Sequence, residues 1–528
     1  MTLVVEGTVV PLAEGDPQAH FDGRVYLEDP VEEVGRIAAV RPAGQVAPAG
    51  FDDAPVVDVG EAFIYPGLID LHSHLGYNTL PLWTEPGESR PFLHHDIWPG
   101  RSTYKPQVSW PAWVLAKAAP EALLTYVQVR ALAGGSTAIQ GWPSANRRPA
   151  NHLVRNIDDQ RFGGEDRTRT STLTLDLDGL RDRAENLRQG LGFIYHCSEG
   201  QTGSRVVREF EDAATAGCLR QRLLAIHCCA VGEPEFTQWE ARATLAGDPA
   251  PGAVVWSPFS NLWLYGQTTD VPAARRHGIT VCLGTDWGPS GTKNLLGELK
   301  VARLCSDAFG WGLTDFDLVE MVTAGPGDML GLCWGVKLGR LEAGALGDVA
   351  VVQKRSQDPW ENLVVARERD VVLVTVNGEP RYGIREVMAA CGARRTTSVR
   401  VGPVRRHTVL INPADKDQPD PRSWTWSKAL AALDAVRADP VGAVETASIA
   451  MAAVGGAVPE AVGAAGDPLV LDLDMPGGLG LVAGPPPDGV VVDIPKMPSL
   501  RHDRNWRASV KHRGFHGGLL DDLDSFYV

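Results

Sequence analysis

Between residues 62 and 287, short runs of apolar strand formers alternate with amphipathic helical stretches, and this alternation constrains the fold more than any other feature. The runs are AFIYPGLIDLHSH, STAIQGW, LVRNID, TSTLTLD, LGFIYHCSE, LLAIHCC, AVVWSPFSN and ITVCLGTDW. Between them lie PEALLTYVQVRALAGG, LDGLRDRAENLRQG, SRVVREFEDAATAG and the acidic helix start Glu233-Pro234-Glu235. Runs that are apolar along their length suit strands buried on both faces, with the helices as crossovers of a parallel sheet. Eight such strands within residues 66–335 predict an α/β protein built on a (β/α)8 TIM barrel.

The flanks read differently. Residues 1–65 hold brief β segments punctuated by Gly, Pro and Asp, and the same texture returns at 336–390, where Asn377-Gly378 marks a hairpin turn. These two pieces are expected to pair into one small discontinuous β domain. Residues 391–528 form a C-terminal extension without motif or repeat. A chain of 528 residues is long enough for several such units.

The polar residues that end the apolar runs carry the chemistry. His72 and His74 stand at i and i+2 on the first strand, so both imidazoles face one side. His196 closes LGFIYHCSEG, His227 closes RLLAIHCC, and Asp286 closes ITVCLGTDWG. The gaps from His74 through these positions are 122, 31 and 59 residues. Measured in βα units of about 30 residues, they place the five side chains on strands one, one, five, six and eight. All then sit at the C-terminal ends of their strands, where barrel active sites are built.

This pattern resembles the amidohydrolase superfamily: PGLIDLHSH is similar to its first metal motif and LGTDW to its last. The resemblance implies that the flanking β pieces form a composite β-sandwich. Residues 141–195, which must contain the fourth strand, include no lysine. A centre of two metals bridged by a carboxylated lysine is therefore not expected, since arginine cannot form that carbamate. Glu199, three residues after His196, resembles the His-x-x-Glu of the mononuclear deaminase and triazine-hydrolase branch, and SPFSNLWLYG resembles a strand-seven segment of that group.

The implied site has His72, His74, His196 and Asp286 as ligands of one Zn²⁺ per chain, with Fe²⁺ as an alternative. Asp286 would take the proton of an attacking water, His227 would orient it or stabilise an oxyanion, and Glu199 would protonate the ring or leaving nitrogen. The expected reaction is hydrolysis of a non-peptide C–N bond, in a cyclic amide or an exocyclic amine. Halide loss is an alternative, and a non-catalytic binding protein on the same barrel is a third reading, opposed by the complete ligand set. Trp83, Trp142 and Trp287 fall at or beyond strand ends and would line a pocket for a flat or apolar small molecule. His94, His95, Arg147 and Arg148 read as surface residues, and Cys197, Cys228 and Cys229 as buried packing.

A net charge of −15 argues against a nucleic-acid partner, and no apolar stretch reaches the length of a membrane span. Eight cysteines without a CxxC pair, and an N-terminus without a secretory pattern, predict a reducing cytoplasm. Barrels of this kind often self-associate, so a homo-oligomer is admitted.

Overall fold

The computed structural model describes residues 2–30, 34–143, 153–158, 167–172, 174–394, 396–409, 425–453, 471, 482, 484–494 and 502–527. Eight parallel strands lie in two ladders. The first is β1 (Leu68–Asp70), β2 (Ser136–Ile139) and β3 (Arg155–Asn156). The second is β4 (Thr168–Ser171), β5 (Gly192–Cys197), β6 (Leu223–His227), β7 (Ala253–Trp256) and β8 (Thr280–Leu283). Each strand pairs with its sequence neighbour in the ladder, the order of a TIM-barrel-like α/β fold. At one seam the ladders touch: Ser73 and Asp286 form an isolated parallel bridge, and the Asp286 amide donates to the His72 carbonyl at 2.8 Å.

Helices fill the crossovers where the sequence predicts them. Pro120–Ala133 precedes β2, Leu177–Arg188 joins β4 to β5, Val207–Ala216 joins β5 to β6, and Glu233–Leu245 joins β6 to β7. Their ends follow local chemistry. Asp176 caps one by accepting from Gly179 N at 2.8 Å, and Gly217 ends another in the left-handed region at φ +87°.

Two strand boundaries differ from expectation. The fourth strand ends at Ser171 instead of running through TSTLTLD, because Asp176 is spent as the cap of the following helix. The seventh ends at Trp256, because Pro258 opens a helix, a position that needs no amide donor. Arg147 and Arg148 lie outside the described residues.

The flanking segments share one nine-stranded sheet. Val56–Pro66 pairs parallel with Leu3–Val9 and antiparallel with Val349–Gln353, which brings the two ends of the chain's β texture together. Asn377 and Gly378 both have positive φ, +58° and +73°, and reverse the chain between Val371–Val376 and Glu379–Gly383. The sheet continues past residue 390 through Thr396–Val401 and Val404–Val409. In the C-terminal region, Trp426 stacks on Tyr126 at 5.8 Å, and Leu519–Tyr527 packs on helix Leu295–Phe309. Among the described residues no helix is long and apolar enough to cross a membrane.

A buried ion pair ties the parallel strands to the nine-stranded sheet. Arg155 of β3 contacts both carboxylate oxygens of Asp348, at 2.6 and 2.9 Å, and also reaches Asn377. Removing the cation strands a buried carboxylate, a cost of about 3–5 kcal/mol. Arg155→Leu is therefore expected to lower unfolding free energy by that amount in urea denaturation, and an unchanged midpoint would refute it.

Candidate active site and metal centre

All five strand-end residues meet at one mouth. His72 Nε2 lies 2.9 Å from Asp286 Oδ1, His74 Nε2 lies 3.5 Å from the same oxygen, and His74 and His196 approach Nε2 to Nε2 at 3.4 Å. The rings of His72 and His196 face each other with centroids 4.6 Å apart. His227 adds its Nε2 at 4.0 Å from Asp286 Oδ2 and 3.7 Å from Glu199 Oε2. Every one of these residues is buried.

The donor set fits a metal on spacing and charge. Ligand atoms ~2.1 Å from a tetrahedral centre are ~3.4 Å apart, close to the His72–Asp286, His74–Asp286 and His74–His196 separations of 2.9, 3.5 and 3.4 Å. Burial, reinforced by His72, His74 and His227, pushes the His196 pKa well below its usual value, so its ring is neutral and offers a lone pair. Burial opposes ionisation of Asp286, yet the surrounding imidazoles hold its carboxyl far below the usual range. Imidazole nitrogens beside a carboxylate oxygen suit a borderline divalent cation. His72, His196 and His227, and separately His72, His74 and Asp286, each form a group able to share an ion.

The scaffold behind the ligands is polar and buried. Asp70, at the end of β1, accepts from Thr285 Oγ1 at 2.6 Å, Thr285 N at 3.0 Å and His72 N at 3.3 Å, joining the loop after β1 to that after β8. Asn78 continues the link, donating to Ser73 Oγ at 2.7 Å and accepting from Gly288 N at 2.7 Å. His227 and Asp286 have φ of +65° and +58°. Such strain in non-glycine residues collects at functional sites.

Glu199 is no surface residue. Burial raises its pKa to about 7 against the opposing charge of His95, and Tyr265 donates to its Oε1 at 2.6 Å. His95 departs from its expected surface role: its Nε2 lies 2.8 Å from Glu209 Oε1, and its amide donates to the Glu199 carbonyl at 3.2 Å. Nothing in the sequence links these two residues 114 positions apart. Cys228 and Cys229 have thiol pKa values raised well above normal, chiefly by the hydrogen bond between Cys228 and Cys197 in the first case and by burial in the second. Neither is a ready thiolate.

Of the predicted aromatic wall, Trp287 stacks on Trp98 at 5.1 Å and meets Tyr104 at 5.9 Å and Trp83 at 6.4 Å. Trp83 and Trp98 come from the segment after β1, and Trp98 ties that segment to the site by donating from its indole to Tyr265 Oη at 2.9 Å. Trp142 is buried at the end of β2, its indole nitrogen donating to the Ile139 carbonyl at 3.0 Å.

A model of the amidohydrolase family matches residues 187–381. The 5-methylthioadenosine/S-adenosylhomocysteine deaminase of Syntrophobacter fumaroxidans is 28% identical over 426 residues, 71% of this chain and 91% of that protein. The chain is thus similar to the amidohydrolase family over residues 187–381 and to a deaminase over 71% of its length. Among solved structures, an adenosine deaminase from Xanthomonas campestris with bound zinc matches with TM-score 0.53 and 18% identity, covering 72% of this chain and 92% of that one. Guanine deaminase from Bradyrhizobium japonicum gives TM-score 0.53 at 18% identity, covering 72% and 99%. At that identity the likeness concerns the fold.

One further buried carboxyl titrates far from its usual range. Glu298 accepts from Thr292 Oγ1 at 2.6 Å and Phe259 N at 3.3 Å, and burial raises its pKa to about 8. In the unfolded chain the proton leaves near 4.5, so between those values the folded state holds one proton more and stability falls as pH rises. Glu298→Gln is expected to make the slope of unfolding free energy over that window less negative, by up to ~1.4 kcal/mol per pH unit. An identical slope in the variant, read by urea unfolding across pH, would contradict it.

Proposed function

We propose that this chain is a metal-dependent hydrolase that breaks a C–N bond other than a peptide bond, removing the exocyclic amine of a flat nitrogen heterocycle. The carrying observation is that His72, His74 and Asp286 form one group able to share an ion and His72, His196 and His227 another, with His74 and His196 Nε2 3.4 Å apart and Glu199 3.7 Å from His227. The named activity of the Syntrophobacter relative, deamination of an adenine-type ring, supports the substrate class. The cluster of Trp83, Trp98 and Trp287 supports a planar substrate.

A divalent cation held by the four ligands, zinc with iron(II) as the alternative, supplies Lewis acidity and brings the pKa of water to ~7. The side chains do the rest. Asp286 accepts the proton of the attacking water at Oδ2, the oxygen that faces His227. His227 orients the nucleophile and the oxygen that develops charge. Glu199, a carboxyl whose burial keeps it protonated near neutrality, delivers a proton to the ring nitrogen. Water adds at the amine-bearing carbon, ammonia leaves, and a carbonyl remains.

The reading extends to architecture and setting. It takes residues 66–335 as a closed (β/α)8 barrel, supported by the Ser73–Asp286 bridge at the seam. Residues 1–65 and 336–409 are its β domain, since the sheet runs past 390, and the extension begins after it. A reducing cytoplasm is supported by eight free, buried cysteines.

Purified protein should carry about one metal ion per chain by elemental analysis, and two would sink the mononuclear reading. Chelation should abolish ammonia release from a panel of 5′-methylthioadenosine, S-adenosylhomocysteine, guanine and aminated triazines, and zinc should restore it. Chloride release from a chlorotriazine without ammonia would favour the halide alternative. Glu199→Gln should keep the metal and lose about 10²–10⁴ in kcat. Turnover equal to wild type would remove Glu199 from the mechanism.

A further inference from the structure

Helix Pro258–Tyr265, which follows β7, carries Asn261 and Tyr265 one turn apart and therefore on one face. Both are essentially inaccessible, at 0% and 1% exposure. The Asn261 amide nitrogen lies 3.1 Å from His227 Nδ1, and its carbonyl oxygen lies 3.5 Å from the Thr269 hydroxyl, which also donates to the His227 carbonyl at 2.6 Å. With the amide as donor, Nδ1 is the acceptor, and the single proton of a neutral imidazole sits on Nε2. That nitrogen faces Asp286 Oδ2 at 4.0 Å, a charged oxygen that favours an N–H there.

Tyr265 acts on Glu199 by the same logic. The Trp98 indole can only donate, and it donates to Tyr265 Oη at 2.9 Å. The phenol hydrogen is thereby directed at Glu199 Oε1, 2.6 Å away. With Oε1 used as an acceptor, a proton carried by the carboxyl sits on Oε2, the oxygen on the His227 side.

We propose that Asn261 and Tyr265 are positioning residues that aim two protons at the reacting atom: Asn261 keeps the His227 proton on Nε2, and Tyr265 keeps the Glu199 proton on Oε2. Its kinetic arm rests on the hydrolase reading above; its tautomer arm stands without it. One short helix thus sets the proton inventory of a centre whose ligands come from other strands.

The test uses the full chain loaded with zinc and labelled with ¹⁵N only in histidine rings. The His227 signal is identified by its loss in His227→Gln. In the wild-type protein the ring proton is expected on Nε2. Asn261→Asp keeps the shape but replaces the donor with an acceptor, and should move the proton to Nδ1 while metal content stays at one per chain. A proton on Nδ1 in the wild type, or on Nε2 in both proteins, overturns the assignment of Asn261. Tyr265→Phe should lower kcat for 5′-methylthioadenosine at least tenfold, with KM within threefold and metal content and Tm unchanged. Unchanged kcat overturns the role of Tyr265. If wild-type protein releases no ammonia from 5′-methylthioadenosine, the hydrolase reading loses that substrate, and the NMR result still decides the tautomer.

Discussion

Two histidine nitrogens 3.4 Å apart, with a carboxylate oxygen 3.5 Å from one of them and 2.9 Å from a third, His72, crowd four polar side chains into one buried point. Were both nitrogens to present lone pairs to a shared cation, they would repel one another without it, and burial removes the water that would screen them. The contacts around this point therefore have to hold the donors in place. A left-handed backbone at His227 and Asp286, and at Ser198 and Cys228 beside them, costs of order 1–3 kcal/mol per residue. Such strain persists only where the surroundings over-determine it, and the rest of the architecture supplies that determination.

The seam between β1 and β8 does much of this. Asp70 collects three donors from Thr285 and His72, while the His72 carbonyl takes the Asp286 amide. The backbone segments bearing His72, His74 and Asp286 are thus fixed to each other before any side chain turns inward. Asp70 is itself buried, and burial raises its pKa to about 7, so its three hydrogen bonds offset a desolvation that would otherwise expel it from the core. Behind β3, the Arg155–Asp348 pair anchors the same strands to the nine-stranded sheet.

The convergence of these side chains is legible in the sequence because barrel geometry converts distance along the chain into strand number: a fixed unit length turns spacings of 122, 31 and 59 residues into positions on one rim. Where the unit is irregular, the ruler fails. The fourth strand was placed too far along, since an aspartate that ends an alternating Thr/Leu run can close a strand or cap a helix, and Asp176 caps. Asn261 and Tyr265 escaped for another reason. Their segment, PFSNLWLY, is dominated by residues that suit a buried strand, and only its helical spacing puts the two polar groups on one face. His95 and Glu209 lie on different elements, and only the fold brings an imidazole and a carboxylate together to bury both.

The helix bearing Asn261 and Tyr265 is gripped from three sides, and this gives the ends of the chain a stake in the chemistry. Trp263 donates from its indole to the Trp83 carbonyl at 2.8 Å, and Phe92 N donates to the Leu264 carbonyl at 3.0 Å, so the segment after β1 is fastened to it. From the C-terminal region, Trp506 stacks on Phe259 at 5.3 Å, His516 stacks on Trp263 at 6.4 Å, and Phe515 N donates to the Trp263 carbonyl at 3.2 Å. Gly514 makes that approach possible: its φ is +78°, and a Cβ there would stand 2.4 Å from the Trp263 ring. A side chain at 514 would push on the helix whose opposite face orients His227 and Glu199. Displacements of about 1 Å in such groups cost on the order of 10²-fold in rate. Residues more than two hundred positions from β7 therefore belong to the positioning of the site, although none of them touches it.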